Sequence, residues 1–495
     1  MNEGREFEKR KGISLNPYLP EYEYIPDGEP HVFGERVYIY GSHDLFGGKV
    51  FCMGDYLSYS ASVYDLTKWR FEGVIYTRTQ DPRMSDGTHY LWAPDVVRGK
   101  DGRYYLYYCP DDKIKSIGVA VCDTPAGKYE FYGIVQDKEG GYLGEREGDT
   151  IAFDPGVFID DDGQIYLYCG NGPRTEKAIG KEPKASVVVR LCGDMITMAE
   201  EPKKLLPALG EAKGTDFEGH EFFEASSIRK INGTYYLVYS SKNLHELCYA
   251  TSSKPDGPYK YGGVLVSNAE HFDGSQETMK NCWGNNHGSI EIINGQYYIF
   301  YHVPTNRSMY SRQGRAEKLN ILPDGSIPQV HMTSQGPNEG ALPACGTYPA
   351  SCVCILHGKM AGSIAHPLAM GKRHPYITQS GADFAQESAE DLSKAPRQYI
   401  TNGKAGLIAG FRYFEAKEPV GISVTLRGNM KGFLEVRLSE EGASVGVIEV
   451  FPSKEAWKKY TGNVVIPSGV HEIYFAFTGK GKLDMLEFEF TKEKS

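Results

Sequence analysis

Five ionisable residues recur in step along the first two thirds of the chain: Asp27, Asp95, Asp154, Glu224 and His287. Each stands ten to twelve residues ahead of a tyrosine, at Tyr38, Tyr105, Tyr166, Tyr236 and Tyr298. Carboxylates brought close together raise one another's pKa and are costly to bury. A set of them in phase with a repeat therefore points to chemistry. Transfer of a glycosyl group to water uses two or three close carboxylates and no metal. One acid stays protonated to give its proton to the leaving oxygen, and one stays ionised to activate water. A third carboxylate beside the acid can hold its pKa up.

The tyrosines mark the elements that must position these groups. They belong to five strands of one kind, GERVYIYGS, GRYYLYYC, GQIYLYCG, GTYYLVYS and GQYYIFYH, repeated every 61–70 residues. Asp-Gly or Asn-Gly precedes four of them (DGRYY, DDGQIY, NGTYY, NGQYY), the turn chemistry of a β-hairpin. Helical periodicity is poor throughout. Repeated antiparallel sheets of this period predict a propeller whose first strands aim the ionisable residues at one axis. Residues 335–350 read as a Gly/Pro-rich linker. Beyond it, GISVTLRG, GFLEVRLS, VGVIEVF, HEIYFAFTG and LDMLEFEF alternate as the short strands of a sandwich or jelly roll. The expected fold is all-β, a five-bladed β-propeller over 15–334 followed by a β-sandwich over 350–492. Segment 383–395 is the one polar, helix-compatible insertion.

Length and charge narrow the function. A chain of 495 residues accommodates two domains. A net charge of −10 argues against a nucleic-acid or anionic-membrane partner and suits a neutral ligand. No run of about 18 apolar residues is present, and the start, MNEGREFEKRKGISLNPYLP, has no apolar h-region. A cytoplasmic protein with reduced cysteines is expected. The ten cysteines lack metal-site spacing, and Cys352-x-Cys354 is too close for an ordinary bridge.

PDGEPHVFGERVYIYGSHD, LWAPDVV, FDPGVFIDDDGQIYLYCG, FFEASSIRKINGTYYLVYS and NNHGSIEIINGQYYIFYH resemble, in order and phase, the five blades of glycoside hydrolase family 43. The resemblance implies a propeller that hydrolyses arabinose- or xylose-containing glycans with inversion. By motif, Asp27 would be the general base, Glu224 the general acid, and Asp154 the group that orients the acid and raises its pKa. Trp92 and Asp95 would shape the sugar subsite. Arg315 would reach the site from a late strand. His287 would lie below the sugar, near a water or a cation, so it is the candidate metal ligand for a structural calcium on the axis. No cofactor is required by this reading.

Two departures bear on specificity: Asp27 is followed by Gly28-Glu29-Pro30, and the acid motif reads Glu224-Ala225-Ser226. The Asn-Asp-Pro, Arg-Asp-Pro and Glu-Cys motifs of the retaining five-bladed families are absent, which disfavours fructan cleavage. Loops 43–56, 77–92, 171–185 and 268–286 would set subsite shape. The C-terminal strands resemble a family 6-like carbohydrate-binding module, with Tyr399, Phe411, Tyr413 and Trp457 as its aromatics; the alternative is a domain that only packs on the propeller. The expectation is an inverting exo-glycosidase acting on arabinofuranosyl or xylosyl ends of oligosaccharides. Action on another furanose or galactose, or a binding-only propeller, are the alternatives.

Overall fold

The computed structural model describes residues 12–111, 113–178, 186–272, 279–358, 362–363, 374–389 and 391–492. Parts of the expected subsite loops, 179–185 and 273–278, lie outside the described residues. So does the amino-terminal stretch 1–11. Among the described residues there is no α-helix, and no helix long and apolar enough to cross a membrane.

Five antiparallel sheets follow one another along the chain. Blade 1 is β1–β4 (Glu29–Phe33, Arg36–Tyr40, Tyr56–Ser62, Asp65–Tyr76). Blade 2 is β5–β8 (Leu91–Arg98, Tyr104–Pro110, Gly118–Cys122, Glu130–Ile134). Blade 3 is β9–β12 (Gly156–Ile159, Ile165–Cys169, Val187–Leu191, Lys203–Lys204). Blade 4 is β13–β16 (Phe222–Ile231, Thr234–Ser241, Glu246–Ser252, Lys260–Ser267). Blade 5 is β17–β19 (Ile290–Ile293, Gln296–Pro304, Arg312–Leu319). The predicted turns join first and second strands, with Asn232 and Asn294 left-handed at φ 50°, as a tight hairpin demands.

The Tyr-rich second strands build the interblade cores by alternation, since successive side chains leave opposite faces of a strand. Tyr38 and Tyr40 face blade 2, packing with Leu106 and Tyr108. Val37 and Ile39 between them face blade 5 with Tyr298 and Phe300. The same exchange recurs between blades 2 and 3, 3 and 4, and 4 and 5. The ring closes where Gly28 bridges Gly288. A Cβ on Gly288 would stand 1.8 Å from the Phe300 carbonyl oxygen, so only glycine permits this approach.

The sandwich begins inside the expected linker, since Leu342–Pro343 and Gly346–Pro349 are already strands of its two sheets. Its core, around Phe411, Val424, Phe475 and Phe488, is separate from the interblade cores. Segment 383–395 forms short 3-10 turns at Gln386–Ser388 and Leu392–Lys394 rather than a regular helix. It docks on blade 1: Asp383 Oδ1 accepts from the Phe46 amide at 2.6 Å, and Gln386 Oε1 accepts from the Tyr59 hydroxyl at 2.5 Å.

Candidate active site

A cavity of about 330 Å³ lies over the propeller axis, and Asp27, Asp154, Glu224 and His287 converge on it. Register explains why these four meet. Tyr40, Tyr107 and Tyr168 pair with Glu29, Asp95 and Gly156 on the first strands of blades 1–3, and Val238 pairs with Ser227 in blade 4. The next residues along each first strand toward the pocket are Asp27, Ala93, Asp154 and Ala225, with His287 in the corresponding place ahead of β17. In blade 4 two register shifts flank Glu224, a bulge at which Ala225 takes φ 66°. That bulge presents Glu224 to the cavity in place of Ala225. Asp27 and Asp154 also adopt left-handed backbone, at φ 56° and 46°. Such strain gathers at functional sites.

Asp95 therefore belongs one layer below the pocket, a correction to its expected subsite role; the blade 2 residue level with Asp27 and Asp154 is Ala93, and Trp92 and Pro110 line the cavity beside it. The Asp95 carboxylate accepts from the Val157 and Val96 amides, both at 2.7 Å, and lies 2.6 Å from His31 Nε2. It locks blade 2 to blade 3. Arg315 is the second correction. Its guanidinium turns toward the sandwich, where Nη2 donates to the Val353 carbonyl at 2.8 Å. The blade 5 arginine in the pocket is Arg312, three residues earlier and on the opposite face of β19.

Arg312 defines the electrostatics of Asp27. Its Nη1 donates to Asp27 Oδ1 at 2.9 Å, while Nε and Nη2 form a two-pronged pair with Asp44 at 2.8 and 3.0 Å. Asp44 is fully buried beneath it. Ser42 Oγ donates to Asp27 Oδ2. The Asp27 amide donates to His302 Nδ1 at 3.2 Å, and His302 Nε2 is 2.8 Å from the Asn285 carbonyl, which fixes the tautomer. Burial holds His302 down to about 3 and hence neutral. Burial alone would raise Asp27, but Arg312, His287 and Ser42 together hold it below the ordinary carboxylate range.

The other two carboxylates shift the opposite way. Burial, then the negative charge of Asp154, pushes Glu224 up to about 8. Its Oε2 accepts from Asn171 Nδ2 at 3.1 Å. Burial raises Asp154 to about 7, with Asp27 adding to the rise and His287 opposing it. Asp154 Oδ2 accepts from the Ala225 amide at 3.1 Å, tying it to the bulge that carries Glu224. His287 Nδ1 stands 3.5 Å from Asp154 and 3.9 Å from Asp27, and its Nε2 is 3.8 Å from Glu29. Burial would lower His287, but these carboxylates carry it to about 9, an imidazolium under the acids.

Trp92 is where the sequence places it, on the wall, edge-on to Phe153 at 5.2 Å. Phe51 and Phe223 extend this aromatic lining, with Arg174 over the Phe223 ring at 5.6 Å. Glu221, three residues before the acid, pairs with Lys242 at 2.9 Å and is absent from the lining. Arg312, Asn171, Phe51 and His302 carry no repeat signal of their own, and nothing in their spacing marks them. One ionised carboxylate, one protonated carboxylic acid and an aromatic wall in one cavity can perform acid–base hydrolysis of a sugar acetal.

Residues 29–327 match the sequence profile of glycosyl hydrolases family 43. The chain belongs to that family. A xylosidase/arabinosidase of Thermoclostridium stercorarium is 47% identical over 484 residues, 96% of this chain and 98% of the relative. A solved family 43 β-xylosidase/α-arabinofuranosidase from a compost microbial metagenome, in a calcium-free complex with xylotriose, is 29% identical. It covers 65% of this chain and 98% of its own, with a TM-score of 0.50. An arabinoxylan arabinofuranohydrolase of Bacillus subtilis, 22% identical, shares the fold across 97% of this chain and 98% of its own at a TM-score of 0.50. As a family 43 member the protein is a glycoside hydrolase, and its propeller is the family's.

Proposed function

We propose that the protein is an inverting exo-glycosidase that releases terminal α-L-arabinofuranosyl or β-D-xylosyl residues from hemicellulose-derived oligosaccharides. The observation that carries this reading is the opposed tuning of two carboxyls in one cavity, Asp27 held ionised and Glu224 held protonated. Glu224 gives its proton to the departing glycosidic oxygen. Asp27 takes a proton from the water that attacks the anomeric carbon from the other face. Asp154, bonded to the Ala225 amide, places Glu224 and adds the charge that keeps it protonated. Arg312 and the His287 imidazolium hold the floor electrostatically against the accumulated negative charge. The names of the relatives support the sugar class, and a site of this modest size suits a chain end better than a polymer interior.

A calcium ion on the axis is a further part of the proposal. The residues there fit a hard cation, because Glu29 Oε1 is buried without a hydrogen-bond partner and faces His287 Nε2. Ligand atoms of Glu29, His31 and Asp95 also lie within 4.8 Å of one another. Glu29 would hold the ion with water, and His287 would join it only by giving up the proton that otherwise makes it an imidazolium. Bound there, it would supply positive charge beneath the catalytic carboxylates. All ten cysteines are described and form no disulfide, which supports a reducing, cytoplasmic setting.

The test is hydrolysis of 4-nitrophenyl α-L-arabinofuranoside and β-D-xyloside, with the anomer of the released sugar followed by proton NMR. Release of the inverted anomer from either glycoside is the expected result. Retention of configuration, or no turnover of either by folded protein, would overturn it.

A further inference from the structure

A second cavity, of about 50 Å³, lies where blade 5 meets the sandwich. It has room for roughly three or four water-sized groups. Arg315 lines it and is only 2% exposed. Its Nη2 is engaged by the Val353 carbonyl, but Nε and Nη1 are buried with no partner. None of the described residues lining the cavity is acidic, and a second guanidinium, Arg307, sits at its edge over the Tyr376 ring at 4.9 Å.

The acid closest to Arg315 along its own strand makes no direct pair with it. Glu317 is occupied by the Thr333 amide and hydroxyl, at 2.7 and 2.6 Å, and by the Tyr301 hydroxyl at 3.0 Å. Asn16 Nδ2 donates to it as well, at 2.9 Å, burial pushes it up to about 8, and among the described residues no ion pair joins it to Arg315. The flanking thiols, Cys352 and Cys354, are raised by burial as well and stay neutral. A guanidinium cannot shed its proton, and a buried charge left uncompensated is strongly unfavourable. The same cavity wall carries an acceptor without a donor. Asn268 Nδ2 points at the Asn285 and His302 carbonyls, at 3.0 and 3.3 Å, and its Oδ1 is buried and unpartnered.

We propose that this interdomain cavity binds a small inorganic oxyanion of the phosphate class. The free Nε and Nη1 of Arg315 lie on different edges of the guanidinium, so each offers an oxyanion a single charge-assisted donor. The Asn268 Oδ1 accepts the remaining P–OH proton of hydrogen phosphate. The ion joins blade 5 to residue Val353 of the sandwich through one guanidinium, so its effect falls on domain attachment and not on the catalytic pocket.

The experiment is thermal unfolding of the full chain at constant ionic strength, titrated with phosphate in one arm and chloride in the other. Phosphate is expected to raise Tm by a few degrees and to saturate, chloride to do neither, and Arg315→Met to abolish the phosphate response. No phosphate-dependent rise, an equal rise with chloride, or an undiminished rise in Arg315→Met would each overturn the proposal. A phosphate-soaked crystal of the unmodified protein gives an answer that depends on no variant. Tetrahedral density beside Arg315 Nε or Nη1 supports the site, and discrete water density there overturns it.

Discussion

At the scale of single residues, the site works because identical functional groups are driven apart in pKa by their neighbours. Asp27 has a guanidinium within 2.9 Å, whereas Glu224 has another carboxylate as its chief electrostatic neighbour. Removal of the proton donor in Glu224→Gln should lower kcat by about 10²–10⁴-fold. The loss should be larger on oligosaccharides than on 4-nitrophenyl glycosides, whose leaving group needs little protonation. Equal losses on both would argue against the acid assignment. The pH–rate profile has a sign that can be worked out. Activity requires Glu224 protonated, so it falls as pH rises through about 8. It also requires Asp27 ionised, and its depressed pKa keeps the base competent into mildly acidic solution. In Arg312→Met the counter-charge is gone, Asp27 rises, and the acid limb moves to higher pH. A profile whose acid limb stays in place would remove Arg312 from this role.

At the scale of elements, the repeat made the blades and four of the five axial residues legible, because a strand period and a Tyr-rich hairpin are local signals. What it did not reveal was depth along the axis. Asp95 stands ten residues ahead of its tyrosine against eleven or twelve for the others, a difference too small to read as depth, and its pairing with Tyr107 sets it one layer too low to touch the pocket. Arg312 and Arg315 are both on β19, and an odd step along a strand reverses the face. The bulge at Ala225 is a tertiary feature that no spacing displays. The sandwich was legible as alternation, but its aromatics were not: Phe411 is wholly buried in the core, and Tyr399 packs on Trp457 under Arg427. The importance of blade-to-blade closeness can be tested at Gly156. A Cβ there would stand 2.3 Å from the Ser226 carbonyl oxygen, on the strand that carries Glu224. Gly156→Ala should cost about 1–3 kcal/mol, read as a lower denaturant midpoint, with kcat reduced as the acid is displaced. An unchanged midpoint would show that the two blades can part without strain.

At the scale of the whole molecule, the sandwich and the propeller are joined by buried polar contacts in which the charges are paired across the boundary. Arg412, on the sandwich, bonds Glu270 of the propeller, and Glu270 also holds His331 at 2.6 Å. Glu440 of the sandwich lies 3.0 Å from Lys280 and 2.9 Å from His357. Burial would raise Glu270, but His331 and Arg412 hold it below its ordinary value of 4.5. His357 and Lys280 bring Glu440 down to about 2. Both acids bind a proton less readily folded than unfolded. Their contribution to stability is therefore complete above about 4.5 and is lost as pH falls toward about 2. Tm should accordingly drop across that window. Glu440→Gln should lower Tm at neutral pH by a small amount, because the pair is partly exposed, and should make the acid-side drop shallower. Arg412→Met leaves the buried Glu270 without its cation, at a cost of about 3–5 kcal/mol at neutral pH, and acidification should recover part of that loss by protonating the orphaned acid. If Tm of Arg412→Met falls with acid as steeply as that of the unmodified protein, these interface carboxylates are not what ties acid stability to domain attachment.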